Sequence, residues 1–501
     1  MKILMLASEA VPLAKTGGLA DVVGALAVEL TRLGHEVRLV LPRYRGLEDG
    51  PVALRETHRF RVPLRHDHVE VALETGTLKG DKGPVVCVRY DPFFDRPGLY
   101  GDAAGDYPDN LDRFALFCRA AIEACKELGW APDIVHAHDW QTALAIVYLK
   151  TLYQSDTTWT APRTLFTIHN MGYQGLFPPA EYPATGLPAA DFTAGGLEFY
   201  GQINLLKGGM IYADLLNTVS PTYAKEIQTP EYGYRLEGVL QTRKDRLFGI
   251  INGIDYDVWN PTTDAHISAN YSQKDMSGKK TCKTALRREL KLPQRDVPLL
   301  GMVSRLALQK GIDLLVDTLP KLLALDVQMV MLGSGDALYQ AELTNLSERF
   351  VGKFAVRLGF DDGLAHRIEA GADMFVMPSR YEPCGLNQLY SLRYGTIPVV
   401  RKTGGLADTV VPYLPGHAVE KATGFVFEDA HPEVLLSTLY LALQVYRDKT
   451  EWADLIKRGM KQDFSWKRSA KEYVALYERA LVETKPAAPP DRDTFPRGRF
   501  R

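Results

Sequence analysis

Cysteine is scarce in this chain. There are five, Cys87, Cys118, Cys125, Cys282 and Cys384, an odd number without a C-x-x-C pair among them. Neither a disulfide framework nor a zinc knuckle is indicated, and a reducing, cytoplasmic setting is the expectation. An excess of one charge is missing too. Lys and Arg number 59 against 61 Asp and Glu, a formal net charge of −2. No global field draws in nucleic acid or acidic lipid, so any anion-binding surface has to be local. No apolar run approaches the roughly 18 residues of a membrane span. The apolar start from Ile3 to Ala7 meets Ser8-Glu9 at once, without a small-residue cleavage pattern, and reads as a buried first strand rather than a signal peptide. Also absent are G-x-S-x-G, the Walker loop and G-x-G-x-x-G, which weakens hydrolase, kinase and dehydrogenase readings.

What is present is an α/β pattern repeated along 501 residues, more than one ordinary core accommodates. Ile3–Ala7 is followed by the polar loop Lys15-Thr16-Gly17-Gly18. Leu19, Val22, Val23, Leu26, Leu30 and Leu33 then recur at helical spacing, with Asp21 in the first turn and Gly34 as the stop. Val37–Leu41 is the next strand. This β-loop-α-β unit is the building block of a doubly wound parallel sheet. Further strands are expected at Asp133–His138, running into a polar loop, Thr164–Ile168 and Leu215–Val219, and a Pro- and Gly-rich irregular region at 172–201. A second series begins near Pro298, with strands at Leu299–Val303, Val327–Leu332, Ala372–Met377 and Thr396–Val400. Two Rossmann-like domains follow, 1–250 and 251–466, then a helix over 467–484 and a tail from 485 to 501 rich in proline and arginine. The heptapeptide Lys15–Asp21 recurs identically as Lys402–Asp408, each copy after an apolar strand.

Several loops carry residues suited to chemistry. Gly17-Gly18 opens a helix and exposes N–H groups at its positive end, which suits either an anion or a tight packing turn. Arg305 and Lys310 sit in a loop after a strand, where open α/β sheets bind ligands. They fit a phosphate pair or an ordinary solvated basic loop. His136, His138 and Asp139 resemble a metal cluster but lack a third histidine at useful spacing, so no metal is expected there. His169-Asn170 ends a strand and is either a ligand contact or a satisfied loop. Glu382-Pro383-Cys384-Gly385-Leu386 follows Arg380-Tyr381 as a stiff start to a helix with its N–H groups free, and such a start favours a Cys384 thiolate.

In order, Lys15-Thr16-Gly17-Gly18-Leu19-Ala20-Asp21-Val22, His136-Ala137-His138-Asp139-Trp140, Thr167-Ile168-His169-Asn170, Ile251-Asn252-Gly253-Ile254-Asp255, Ser304-Arg305 through Lys310-Gly311, and Glu382–Leu386 resemble the bacterial glycogen synthases and plant starch synthases. The similarity runs from Ile3 to about Tyr477. It implies the GT-B fold, two Rossmann-like domains facing across a cleft, with the last helix crossing back to the first domain. It also implies retaining transfer of glucose from ADP-glucose to an α-1,4-glucan, with no cofactor and neither nucleic acid nor membrane as partner. By position, Arg305 and Lys310 would hold the donor diphosphate, Gly18 with Gly17 would meet the distal phosphate, and Lys15 would neutralise charge. Glu382 would fix the transferred glucose beside the Cys384 and Gly385 backbone. His169, Asp139 and Asn170 would border sugar and acceptor. Asp21, Asn252, Leu386, Thr403 and Gly404 complete the implied substrate-binding set. The wider superfamily often carries a second glutamate eight residues after the first to grip the ribose. Tyr390 stands there in this chain. The nearest rivals are sucrose and trehalose-phosphate synthases, and a non-catalytic glucan- or nucleotide-binding protein of the same fold.

Overall fold

The computed structural model describes residues 1–78, 83–102, 104–156, 159, 162–416 and 419–482. The chain forms two compact units. One comprises Met1–Val219, Ala224–Ile250 and the final helix Trp466–Val482; the other comprises Ser220–Tyr223 and Ile251–Ser465. The tail read as 485–501 lies outside the described residues.

The first unit is built on a nine-stranded sheet of β1 (Lys2–Leu6), β2 (Glu36–Pro42), β3 (Arg55–Leu64), β4 (Asp67–Thr77), β5 (Pro84–Arg89), β6 (Ile134–His138), β7 (Arg163–Ile168), β8 (Leu215–Thr218) and β9 (Leu247–Gly249), in the order β9-β8-β7-β6-β1-β2-β5-β4-β3. From β9 to β5 every pairing is parallel. The β3–β4 hairpin joins antiparallel at the edge, so the sheet is mixed rather than purely parallel. The reason is local. Arg55–Leu64 and Asp67–Thr77 alternate polar with apolar residues, and one face of β3 stays exposed. A half-solvated antiparallel edge tolerates that pattern, whereas a strand covered on both faces does not.

At the centre, β1 is buried from Ile3 to Leu6 and is followed by helix Gly18–Arg32, whose Ala20, Val22, Val23, Leu26, Ala27 and Leu30 face the core. Gly34 ends the turn at φ +90, a conformation that favours glycine. The final helix Trp466–Val482 buries Tyr473 and Tyr477 completely within this same unit.

The second unit carries a six-stranded, wholly parallel sheet of β10 (Leu299–Leu306), β11 (Gln328–Gly335), β12 (Phe354–Leu358), β13 (Met374–Met377), β14 (Ile397–Arg401) and β15 (Phe425–Phe427), in the order β12-β11-β10-β13-β14-β15. The order reverses beside β10, so the loops after β10 and β13 meet at a switch point, the usual ligand position in open α/β sheets. Apolar clusters fill both faces, one around Met302, Leu315, Leu319, Met331 and Leu439, the other around Leu299, Val330, Ile368 and Phe375. Among the described residues no helix is long and apolar enough to cross a membrane.

Candidate active site

In the second unit, the loops at the carboxyl ends of β10, β13 and β14 hold most of the expected residues. Arg305 lies near the end of β10, exposed, with its guanidinium donating to the Gln309 side chain at 3.1 Å. The chain then makes one 3-10 turn, Leu308–Lys310, and passes through Gly311 at φ +66. A Cβ at Gly311 would come within 2.0 Å of the Pro378 carbonyl, so glycine is what lets the β10 loop lie against the β13 loop. That approach brings Lys310 to Glu382. The ammonium donates to both carboxylate oxygens, at 2.9 and 2.6 Å, and Ser379 Oγ donates to one of them at 3.0 Å. The Glu382 side chain is 6% exposed and that of Lys310 19%. A carboxylate this buried is tolerated because a cation and a hydroxyl bond it.

The segment after Glu382 departs from expectation. No helix starts at Pro383; the helix begins at Asn387. Gly385 sits at φ +73, and Gln388 turns its side chain back to donate to the Cys384 and Gly385 carbonyls at 2.9 and 3.0 Å. Cys384 therefore stands before the helix, buried among packed backbone, and burial pushes its thiol up to about 12, the opposite of a stabilised thiolate. The Asn252 backbone approaches this thiol, while the Asn252 side-chain oxygen is buried without a hydrogen-bond partner among the described residues. Leu386 caps the helix and, partly buried, packs against the cluster of Ile254, Leu389 and Phe464. Gly404 lies at φ +43 against the Glu382 carbonyl, and the next amide, Gly405 N–H, donates to that carbonyl at 3.2 Å; Thr403 is buried beside them.

In the first unit, the equivalent edge of β1, β6 and β7 gathers Lys15, Gly17, Gly18, Asp21, Asp139, His169 and Asn170. Lys15 pairs with Asp21 of the helix it precedes, at 2.8 Å, both side chains well solvated. A residue the sequence reading overlooked organises this loop. Buried Glu9 accepts hydrogen bonds from the Thr16 amide, the Thr16 hydroxyl (2.6 Å), the Gly17 amide (3.3 Å) and the Tyr100 hydroxyl. The sequence offered only one hint of it, a carboxylate directly after an apolar strand.

The histidines form a chain of their own. His136 bonds Tyr477 of the final helix at 2.8 Å and Thr167 at 2.6 Å; His138 bonds His169 at 3.0 Å. Both nitrogens of His136 are thereby used within the protein. Burial pushes His136 and His169 down to about 3 and His138 well below its usual value, so all three rings are neutral at pH 7. Asp139, at φ 56, accepts from the His169 amide at 2.7 Å. Burial raises its carboxyl to about 7, with the His169 and Asn170 amides opposing that rise and Glu9 adding to it. Asn170 turns its side-chain oxygen onto the Gly172 amide at 2.9 Å.

Two Rossmann-like units, with cations and a buried carboxylate at the carboxyl end of the second sheet, define a glycosyltransferase of the GT-B class. The protein relatives make the class narrower. A family model described as starch synthase catalytic domain matches residues 2–242, and one described as glycosyl transferases group 1 matches residues 283–459. The glycogen synthase of Koribacter versatilis is 49% identical over 96% of this chain and 98% of its own length. The catalytic domain of starch synthase IV from Arabidopsis thaliana is 35% identical with a TM-score of 0.89, covering 96% of this chain and 99% of that one. A sucrose-phosphate synthase from Thermosynechococcus elongatus, 18% identical with a TM-score of 0.61 over 95% and 98% of the two chains, shares the fold alone. The chain belongs to the glycogen and starch synthase family of glycosyltransferases.

Proposed function

We propose that this cytoplasmic enzyme elongates α-1,4-glucans by moving glucose from ADP-glucose to a non-reducing 4-OH with retention at the anomeric carbon. The bond from C1 to the diphosphate breaks, the bond from C1 to the glucan O4 forms on the same face, and the O4 proton leaves with the nucleoside diphosphate. The observation that carries the reading is the Lys310–Glu382 pair beside Arg305 at the switch point of the second sheet. Arg305 and Lys310 take the diphosphate and stabilise charge as it develops on the leaving group, and Glu382 orients the glucose. Lys15 with the Gly18 amide supplies a further anion site, the Gly17 amide being given to Glu9. His169, Asp139 and Asn170 border sugar and acceptor; neutral histidines suit that role, since they bond hydroxyls without adding charge. The starch synthase relative was captured bound to ADP and acarbose, which supports an adenine nucleotide as the leaving group. These cations serve in place of a divalent metal.

Radiolabelled ADP-glucose should extend maltooligosaccharides, UDP-glucose should serve less well, and the rate should survive a chelator. Lys310→Ala should lower turnover by about 10²–10³, the scale for losing one preorganised donor to a developing anion. Absence of transfer from either donor by folded protein overturns the reading.

A further inference from the structure

A second cluster lies within the second unit, on helix Asp362–Gly371. Asp362 and His366 stand one turn apart on it, and His266, from the loop before helix Ser277–Glu289, faces them. One ligand atom from each of His266, Asp362 and His366 lies within 4.8 Å of the others, and the two imidazole centroids are 4.8 Å apart. His366 is fully buried. Its Nδ1 bonds Asp264 Oδ2 at 2.8 Å, and its Nε2, equally buried, has no hydrogen-bond partner among the described residues.

Asp264 is itself fixed, accepting from the Tyr394 hydroxyl at 2.6 Å and the His266 amide at 2.8 Å. A carboxylate on Nδ1 places the ring proton there and leaves the buried Nε2 lone pair unused. That carboxylate–imidazole arrangement is the one that orients and strengthens a metal-binding histidine. Trp259 locks the ring plane by stacking on His366 at 3.7 Å and 9°, and it stacks equally on Tyr390. A buried imidazole nitrogen without a partner is costly, and the carboxylate beside it can only accept when ionised. Two imidazoles and one carboxylate converging on one point are satisfied together by a cation.

We infer that His266, Asp362 and His366 form a site for a divalent ion of the zinc type, with a position left open to water. Imidazole with carboxylate is the donor set that borderline first-row ions prefer. Bonds of about 2.0–2.1 Å in tetrahedral geometry put ligand atoms about 3.3 Å apart, so the cluster has to tighten on binding. His266 and Asp362 are exposed and free to move inward, whereas His366 is held. The ion would pin the loop carrying Trp259 to helix Asp362–Gly371, and through the aromatic stack it would steady Tyr390. It lies outside the residues assigned to glycosyl transfer and does not depend on that reaction.

The test uses full-length, untagged protein stripped with a chelator and titrated with zinc chloride by calorimetry, alongside cobalt(II) as a visible-absorption probe. One equivalent of zinc should bind with micromolar affinity or better, and cobalt should give ligand-field bands that zinc displaces. His266→Ala and Asp362→Asn alter exposed side chains and should each weaken binding at least tenfold with an unchanged circular dichroism spectrum. Absence of saturable binding, or affinity unchanged in both variants, overturns the site.

Discussion

The identical heptapeptides Lys15–Asp21 and Lys402–Asp408 both lead from a parallel strand into a helix, yet they do opposite things. In the first, Gly17 and Gly18 are exposed, and a Cβ at Gly17 would meet nothing within 4 Å. In the second, Gly404 and Gly405 are buried, and a Cβ would come within 1.9 Å of the Glu382 carbonyl at one and 2.1 Å of the Cys384 carbonyl at the other. The first loop's amides turn onto a carboxylate, Glu9; the second loop's Gly405 amide turns onto peptide carbonyls. The flanking charges diverge as well. Lys15 pairs with Asp21, whereas Lys402 pairs with Glu428 at 2.5 Å and Asp408 accepts from the Thr222 amide and hydroxyl at 3.0 and 2.6 Å. Local sequence sets the strand-to-helix turn. What lies under the glycines decides whether the turn is a packing device or an open anion site.

Substitution at the glycines should separate the two copies most strongly. Gly404→Ala places a Cβ at positive φ against backbone that cannot move aside. About 1–2 kcal/mol for the left-handed conformation and about 1–3 kcal/mol for overpacking lead to a loss of about 2–5 kcal/mol. Gly17, at φ −155 with open space, should tolerate alanine at about 1 kcal/mol or less, the scale of an altered helix cap. Urea denaturation of both variants measures the difference. Equal losses would mean that the first loop is also a packing turn.

The first loop rests on Glu9, whose charge bears on Asp139, and the second on peptide groups, so pH should distinguish them too. Asp139 is 8% exposed and its carboxyl is raised from 3.8 to about 7. An acid raised on folding contributes stability fully present below its unfolded value and lost as pH rises through about 7. The buried histidines act in the opposite sense: their contribution is present above 6.5 and lost as pH falls toward about 3. In the wild type the two trends offset one another between pH 7.5 and 5. Asp139→Asn keeps an acceptor for the His169 amide but removes one trend, so acidification over that interval should cost the variant about 2–3 kcal/mol more than the wild type, from 1.36 kcal/mol per pKa unit. A wild-type-minus-variant difference that does not change with pH would show an ordinary carboxyl at Asp139.

The sequence reveals the central strands to within a few residues, because β1, β6, β7, β10, β13 and β14 are buried on both faces and read as continuous apolar runs. The edge hairpin β3–β4 and the strands β5, β9, β12 and β15 are not among those expected; alternating polarity in the hairpin and three-residue length in β9 and β15 give weak signals. Lys310 and Glu382 stand out as charges in loops after such strands; Arg305, expected in the loop, stands in β10 itself, one residue from its end. Glu9 and the His266–His366 cluster do not, because their meaning depends on separations that only folding abolishes. Cys384 shows the reverse error. Its neighbours in sequence suggest a helix start, but Gln388 and Gly405 fill the space around it and bury the thiol.

The smallest difference expected between the heptapeptides lies in their lysines. Lys15 and Lys402 form exposed pairs, with side-chain exposures of 42% and 57%. Exposed pairs of this kind contribute about 0–1 kcal/mol, because water screens the charges and ordering two long side chains consumes entropy. Lys15→Gln and Lys402→Gln should therefore leave the urea midpoint nearly where it was, and by stability alone the two positions should look alike. Turnover is where they should part. If the open glycine loop is an anion site, Lys15→Gln removes a cation placed beside it and lowers the rate, with the loss reproduced in part in wild type as salt rises. Lys402, whose loop is closed over the Glu382 carbonyl, should be silent in the same assay. Parallel initial-rate measurements of the two variants decide the matter: equal rates would remove Lys15 from the reaction and leave the two heptapeptides distinguished by packing alone.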